Sequence, residues 1–315
     1  MEISREEALD CFKSDDLIGI GMEADAVRHR LHPEGVVTYV LDGKLDYGPP
    51  TSPTQSTLYK EIEDLIETGG TSLTLQGTIH PDHTIAWFET LFSGIKQTHP
   101  TLCLHSLSAT EILALAAHAS LPVRDTIARL RDAGLNSIPG NDAGILDEAV
   151  HRQPAAPKPA DWIAVHRTAH QLGIQTTAAM VFGCGETFEH RVHHLDAIRH
   201  LQQETSGFTS FTPWSLELQR SAVHGFEEPT AVEYLKTLAI SRMFLDNIEN
   251  VQSNLETQGL KILQVALRFG ANDAGSVLLA QGANAATEEQ LRQVIRDAGF
   301  KPVQRDTLYR TVFLN

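Results

Sequence analysis

The sequence has little cysteine, and the placement of its three residues excludes more than their number does. Cys11, Cys103 and Cys184 are the only ones in 315 residues, and no two stand in CxxC spacing. That pattern excludes a disulfide framework and a zinc knuckle, and it predicts three separate buried thiols in a reducing compartment. Long apolar runs are lacking too, for no stretch reaches the length needed to cross a bilayer. Positive charge is short: 25 Lys and Arg face 40 Asp and Glu, giving a formal charge of −15. Neither nucleic acid nor an anionic membrane is therefore expected as a partner, because both select basic patches. The opening MEISREEALDCF is acidic and amphipathic and has neither the basic nor the apolar region of a secretory leader, so a cytoplasmic location is expected.

What is present is an alternation of strand and helix patterns. Hydrophobic residues make up 42% of the chain, enough for a large core. Ser4 to Phe12 reads as a helix with Ser4 as N-cap and Glu7 completing a capping box. Gly19 to Leu31 carries Ile20, Ala24, Val27 and Leu31 on one face and stops at His32-Pro33, so residues 1–34 are expected to form a helical cap over the barrel bottom. Val36 to Leu41 is a β-branched strand, Lys44 to Pro53 is rich in breakers, and Thr57 to Thr68 has helical spacing of Leu58, Ile62, Leu65 and Ile66. Further strands are predicted at 71–76, 101–107, 135–138, 175–182, 207–213 and 247–253, with helices between them. Gly270 to Ser276 reads as the eighth strand-to-helix junction. The fold class is thus α/β, a single closed (β/α)8 barrel over 35–299 with a final strand or tail at 300–315.

In such a barrel the loops at the C-terminal ends of the strands hold the chemistry. The candidates there are Gly77 and His80 after the second strand, Ser108 and Glu111 after the third, Gly183, Gly185, Glu186 and Thr187 after the fifth, and Asn272 and Asp273 at the eighth junction. Each has a plain structural reading as well: Gly77 to Pro81 as a turn, Ser108 with Glu111 as a helix N-cap, Glu186-Thr187 as a helix start. His166 with His170, and His190 with His194, are spaced i, i+4 and could share a metal on one helix face. No third ligand is fixed by spacing, and hydrogen-bonding or surface roles are expected instead, with no metal.

Several segments together carry a resemblance. EALDCFKSDDLIGIGMEADAVRHRLHPEGVVTYV, LQGTIHPDHTIAWFE, HRTAHQLGIQTTAAMVFGCGET and RFGANDAGS resemble dehypoxanthine futalosine cyclase, a radical SAM family of the futalosine route to menaquinone, with FO synthase and biotin synthase as more distant relatives. The resemblance implies a TIM barrel of the radical SAM type. It implies further that Gly77 and the Gly183, Gly185, Glu186, Thr187 loop lie against SAM, that the Ser108 to Glu111 segment lines the active site, and that Asn272 and Asp273 lie beside substrate.

The chain also departs from that family. Where the family carries CxxxCxxC, this sequence reads GPPTSPTQS directly after Asp46-Tyr47. Thr78 replaces a glycine, Gly144 stands in place of a glutamate, SLELQRSAVHGF follows Pro213-Trp214, and VLLAQGANAA follows Ser276. A [4Fe-4S] cluster is held by cysteine thiolates. On the sequence alone no cofactor is expected, SAM binding is doubtful, and the chain reads as a cluster-free pseudoenzyme that serves menaquinone biosynthesis as a ligand-binding or regulatory protein. Two alternatives stay open. One is a non-radical enzyme acting on a purine nucleoside through Glu186, His80, Asn272 and Asp273. The other is cyclase activity with a cluster supplied in trans. Expected partners are a small-molecule nucleoside, a second copy of the chain, or an active homologue.

Overall fold

Ser4 caps the first helix as expected. In the computed structural model its hydroxyl accepts from the Glu7 amide and the Glu7 carboxylate accepts from the Ser4 amide, opening α1 (Arg5–Lys13). The structure describes residues 3–49, 52–150, 156–216, 227–278, 286–310 and 312–313. After α1, α2 (Leu17–Leu31) begins at the Asp16 cap, two residues earlier than its apolar spacing indicates.

Eight strands then alternate with helices. The order is β1 (Val36–Asp46), α3 (Ser52–Glu67), β2 (Ser72–Gln76), α4 (Ile85–Thr98), β3 (Cys103–Leu104), α5 (Ala109–Ala119), α6 (Val123–Ala133), β4 (Ser137–Ile138), α7 (Pro159–Gln171), β5 (Gln175–Phe182), α8 (Phe188–Thr205), β6 (Phe208–Ser215), α9 (Ala231–Phe244), β7 (Asn250–Val251), α10 (Leu255–Ala266), β8 (Asp273–Leu278) and α11 (Glu288–Asp297). The helices α1 and α2 pack on α8 and α9.

All pairings among the eight strands are parallel. β8, β1, β2 and β3 form one arc and β4 to β7 a second. Parallel bridges from His105 to Ser137 and from Gln252 to Asp273 join the arcs at both seams, which closes the cylinder. A closed parallel cylinder with a helix after every strand is the (β/α)8 arrangement.

Two departures from the sequence reading matter for the site. β1 runs five residues past Leu41, because Asp42 to Asp46 pair with Ser72 to Gln76 of β2. The breaker-rich segment is correspondingly shorter. Secondly, Gly270 to Asn272 lead into β8 and do not follow it. The predicted eighth strand-to-helix junction is a helix-to-strand junction, and Asn272 and Asp273 stand at the N-terminal end of the barrel strand. Of the predicted connections and departures, residues 50–51, 151–155, 217–226 and 279–285 lie outside the described residues.

The C-terminal segment is part of the barrel floor. β9 (Lys301–Arg305) runs parallel to β1 along Val36 to Tyr39, and β10 (Val312–Phe313) pairs antiparallel with β9. Thr38 pairs with both Asp273 and Val303, so β8 and β9 take opposite edges of β1. Asp42 likewise pairs with Leu278 and Ser72, which places β9 and β2 one after the other on the same edge. Arg305 and Thr307 are thereby carried under the barrel, both buried. Around the strands, Trp162 is fully buried, stacked with Phe208 at 6.0 Å between centroids, and Phe88, Phe92, Phe211 and Phe244 are also fully enclosed. Among the described residues no helix is long and apolar enough to cross a membrane.

Candidate active site in the barrel

The loop residues predicted from sequence fall into three places. At the mouth beside β1 and β2, Glu111 is buried in the first turn of α5 and accepts four hydrogen bonds. Its donors are the Tyr47 hydroxyl at 2.6 Å, the Gly77 amide at 3.1 Å, and the Ser108 amide and hydroxyl at 2.8 Å each. Burial pushes its carboxyl pKa up, and these donors pull it down. Gly77 is required here by contact: a Cβ at that position would lie 2.7 Å from the Tyr47 ring. Tyr47 is enclosed by His83, Trp87 and Phe88, with centroids 5.2 to 6.3 Å away. Gly77, Ser108 and Glu111 thus converge. His80 does not join them: its side chain is half exposed and sits 3.3 Å from Asp82.

The second place is the loop after β5. Glu186 folds back so that its two oxygens accept from the Gly183 amide at 2.8 Å and the Cys184 amide at 2.7 Å. Arg191 adds a bond from Nε at 2.9 Å and also reaches Glu233 at 2.5 Å. Gly185 has positive φ within this turn, and Thr187 caps α8. Glu186 is therefore held by its own loop and by a buried guanidinium.

The third is the barrel floor. Asn272 accepts from Arg242 and from the Val251 amide and donates to Asn250 at 2.9 Å. Asp273 receives Arg305 in a bidentate pair at 2.6 and 2.8 Å, along with Thr38 and the Gly275 amide. Both side chains are saturated by protein groups.

Between these places lies a cavity of about 150 Å³ on the barrel axis, to which every strand or the residues next to it contribute. Sequence reasoning missed its charged members. Asp42 and Lys44 line it from β1, His105 from the end of β3, and Asn254 and Glu256 from the junction of β7 and α10. Half-buried Trp214 supplies an aromatic wall, and Thr74, Gln76, Asn141, Thr177 and Thr212 add neutral polar groups. The signal was present in β1: Val40, Asp42 and Lys44 keep period two, and so share one face of an otherwise apolar strand.

The cavity's electrostatics follow from burial. Asp42 is 7% exposed, and burial raises its carboxyl to about 6 although Thr74 donates to Oδ2 at 2.9 Å. Burial likewise lowers His105 to about 4, so its imidazole is neutral at pH 7. Lys44 faces Glu256 at 4.0 Å. Asp42 Oδ1, His105 Nδ1 and Asn254 Nδ2 are buried without hydrogen-bond partners.

His166 and His170 act as hydrogen-bonding groups, as the sequence reading expected, whereas His194, read as a helix-surface residue, is fully buried. His166 and His170 both bond Thr176, at 2.9 and 2.8 Å, and His194 Nδ1 accepts from the Leu146 amide at 3.0 Å. The carboxylate nearest the departure at Gly144 is Asp142. It is bound by the Thr110 amide and hydroxyl and by Trp162 Nε1, and so ties the loop to α5 and α7.

Comparison with known proteins places this geometry. Residues 205–314 match the family model described as the CofH/MqnC C-terminal region. The chain is 32% identical to cyclic dehypoxanthine futalosine synthase of Halalkalibacterium halodurans, over 98% of this chain and 91% of that protein. It is 38% identical to 5-amino-6-(D-ribitylamino)uracil–L-tyrosine 4-hydroxyphenyl transferase of Methanothermobacter thermautotrophicus, over 79% and 72% respectively. Among solved structures, methylornithine synthase superposes with a TM-score of 0.72 at 15% identity, covering 96% of this chain and 94% of that one. The FeFe-hydrogenase maturase HydG of Carboxydothermus hydrogenoformans gives 0.75 at 14%, covering 98% and 78%. At such identity these two structures show the fold.

The expectation of a protein outside cofactor chemistry is corrected by these findings. The relatives matched over nearly the whole chain belong to a radical SAM family, whose chemistry uses a [4Fe-4S] cluster and SAM. The reading from sequence rested on the cysteine-free loop and on the departures at Thr78 and Gly144, whereas the likeness extends over nearly the whole chain. The residues of this chain do not by themselves match the cluster's donor set: Cys11 is on α1, Cys103 on β3 and Cys184 beyond β5, and no group of three metal-ligating side chains occurs among the described residues. With 32% identity across its length and the barrel closed as described, the chain belongs to the CofH/MqnC family of radical SAM proteins, the family of cyclic dehypoxanthine futalosine synthase.

Proposed function

We propose that the chain is a ligand-binding member of this family that takes a nucleoside-type molecule, SAM or a futalosine-type compound, into the barrel. The observation that carries this reading is the axial cavity, with polar side chains from all around the barrel and three buried polar atoms left unpartnered. A concave site lined by converging polar side chains and one aromatic wall is the usual place for a bound small molecule. Trp214 offers a flat face for a ring.

The carboxylates singled out as ligand-binding candidates are each engaged by protein groups: Glu111 by four donors, Glu186 by its loop and Arg191, Asp273 by Arg305. With His80 half exposed beside Asp82, a non-radical enzyme built on Glu186, His80, Asn272 and Asp273 is therefore disfavoured. Recognition belongs to the cavity and positioning to the loops.

Thermal unfolding with excess SAM and, separately, with dehypoxanthine futalosine tests this. A ligand at about 100 times its Kd adds roughly 2.7 kcal/mol to the native state, which reads as a rise of several degrees. A rise with either compound is expected, and no rise with both would overturn the reading.

The match over 91% of the cyclase relative also favours a second reading, in which the barrel acts in the cyclisation beside a cysteine-bearing homologue. Co-purification of the two chains from cells expressing both is the expected result, and separate elution would remove it.

A further inference from the structure

We infer that α2 is the contact surface for a second copy of this chain, the two copies packing their α2 helices antiparallel about a two-fold axis at Met22. On the inner side of α2, Ile20, Ala24 and Arg28 are buried, and a Cβ on Gly21 would meet the Phe269 ring at 2.6 Å. Ile18, Met22 and Ala26 each stand two residues before one of that buried set, about 200° round the helix, and face outward. Ile18 is 65% and Met22 70% exposed. A surface helix ordinarily turns a polar face to water. α2 carries a second apolar stripe there instead.

The stripe continues onto the neighbouring helix. Five large apolar side chains are exposed among the described residues, and beside Ile18 and Met22 a third of them is Val265 of α10, at 41%. Arg268, three residues beyond Val265, pairs at 3.9 Å with Asp25, three residues beyond Met22, so Val265 borders the same face.

Charge and size both select a second copy as the occupant. At a formal charge of −15 two copies repel one another overall, but within α2 Glu23 and Asp25 are balanced by Arg28 and Arg30. A contact centred on α2 therefore brings no net charge together. The two ends of the helix differ in sign: exposed Asp15 and Asp16 precede it, and exposed His29 and Arg30 close it. Antiparallel alignment on Met22 puts the acidic end of each copy opposite the basic end of the other. It also sets Met22 against its own symmetry mate and lays Ile18 over the second copy's small Ala26. Such self-complementarity is what a two-fold contact requires. Arg30 reaches Asp246 of its own chain at 3.6 Å, yet its side chain stays 51% exposed and open to a partner.

The test is the mass of the full chain in solution, by sedimentation equilibrium across a range of concentrations. A reversible rise from 34.6 kDa to twice that mass is expected. Met22→Lys, whose far-UV spectrum and unfolding midpoint check the fold, should weaken the dimer roughly 100-fold or more, since it removes two buried methionines at the axis. Asp16 caps α2 through the Gly19 amide, so the charge test is placed at Asp15 and Arg30. Asp15→Lys and Arg30→Glu, each alone, should weaken the dimer by setting like charges together at both contacts. An equimolar mixture of the two should regain it, because every contact then joins unlike charges. A wild type that stays monomeric at every concentration, a Met22→Lys dimer as tight as the wild type, or a mixture no tighter than its two components would overturn the α2 contact.

Discussion

Arg305, near the end of the chain, meets Asp273, at the start of β8, in a bidentate pair whose side chains are 2% and 0% exposed. The guanidinium also lies over the Tyr309 ring at 3.9 Å, and Tyr309 accepts from Gln252 at 2.8 Å, so β9, β8 and the end of β7 are fastened at one point beneath the cavity. Removing one member of a buried pair strands the other charge, at a cost of about 3 to 5 kcal/mol. Arg305→Leu is expected to lower unfolding free energy in urea by that amount, and the double variant Asp273→Leu/Arg305→Leu to recover a large part of it. A double variant as unstable as the single one would show that the pair does more than satisfy its own charges.

Acid should unfold the protein through its buried histidines. Burial lowers His105 and His170 to about 4 and His194 to about 3. A base with a depressed folded pKa contributes stability that is present above its unfolded value, near 6.5, and lost as pH falls toward the folded value. Each such histidine should remove about 1.4 kcal/mol per pH unit within that window. Asp42 acts in the opposite sense. Its carboxyl is raised to about 6, so it favours the native state as pH falls from 6 toward 4. Urea midpoints measured from pH 7 to 4.5 should decline, and the decline should be steeper in Asp42→Asn. A flatter profile in that variant would mean that Asp42 does not offset the histidines.

At the barrel mouth, Glu111→Ala leaves the Tyr47 hydroxyl and the Gly77 and Ser108 amides without their acceptor. At about 1 to 3 kcal/mol for each group left unsatisfied, this variant is expected to rank among the most destabilising single changes, while Tyr47→Phe costs about 1 kcal/mol. Thermal unfolding of the two variants side by side checks the ratio. Equal losses would mean that Tyr47 alone carries the contact.

Gly144, which the sequence resemblance sets in place of a glutamate, is at φ +54° with no neighbouring atom within reach of a Cβ. Space is free there but the backbone is left-handed, which costs an L-residue roughly 1 to 2 kcal/mol. Gly144→Ala is expected to lose about that much in chemical unfolding. An unchanged midpoint would show that the loop relaxes around the side chain.

Much of the barrel was legible because local signals agreed with the tertiary result. The Ser4 and Ser108 capping boxes, the run Gln175 to Phe182 and the helix Ala109 to Ala119 all appear where the sequence placed them. The short strands were overdrawn: residues 101–107 yield only Cys103–Leu104, because β3 pairs regularly with β2 over two residues and meets β4 at a single bridge. Asp42 was passed over because the apolar run stops at Leu41, and pairing with β2, invisible in local pattern, carries the strand onward. Loop carboxylates such as Glu186 looked catalytic because nothing in sequence shows that their partners are amides of the same loop. The cavity escaped for a related reason: its lining comes from every strand around the barrel, each giving one or two residues.

Trp214 emission tests the central claim most directly, since this half-buried indole lines the cavity proposed to hold the ligand. Titration of the full chain with SAM and with dehypoxanthine futalosine should give a saturable change in tryptophan fluorescence with at least one of them, and Trp214→Phe should abolish the change while Trp87 and Trp162 remain. Emission that stays constant with both compounds, or a change that persists without Trp214, would contradict a ligand in the barrel.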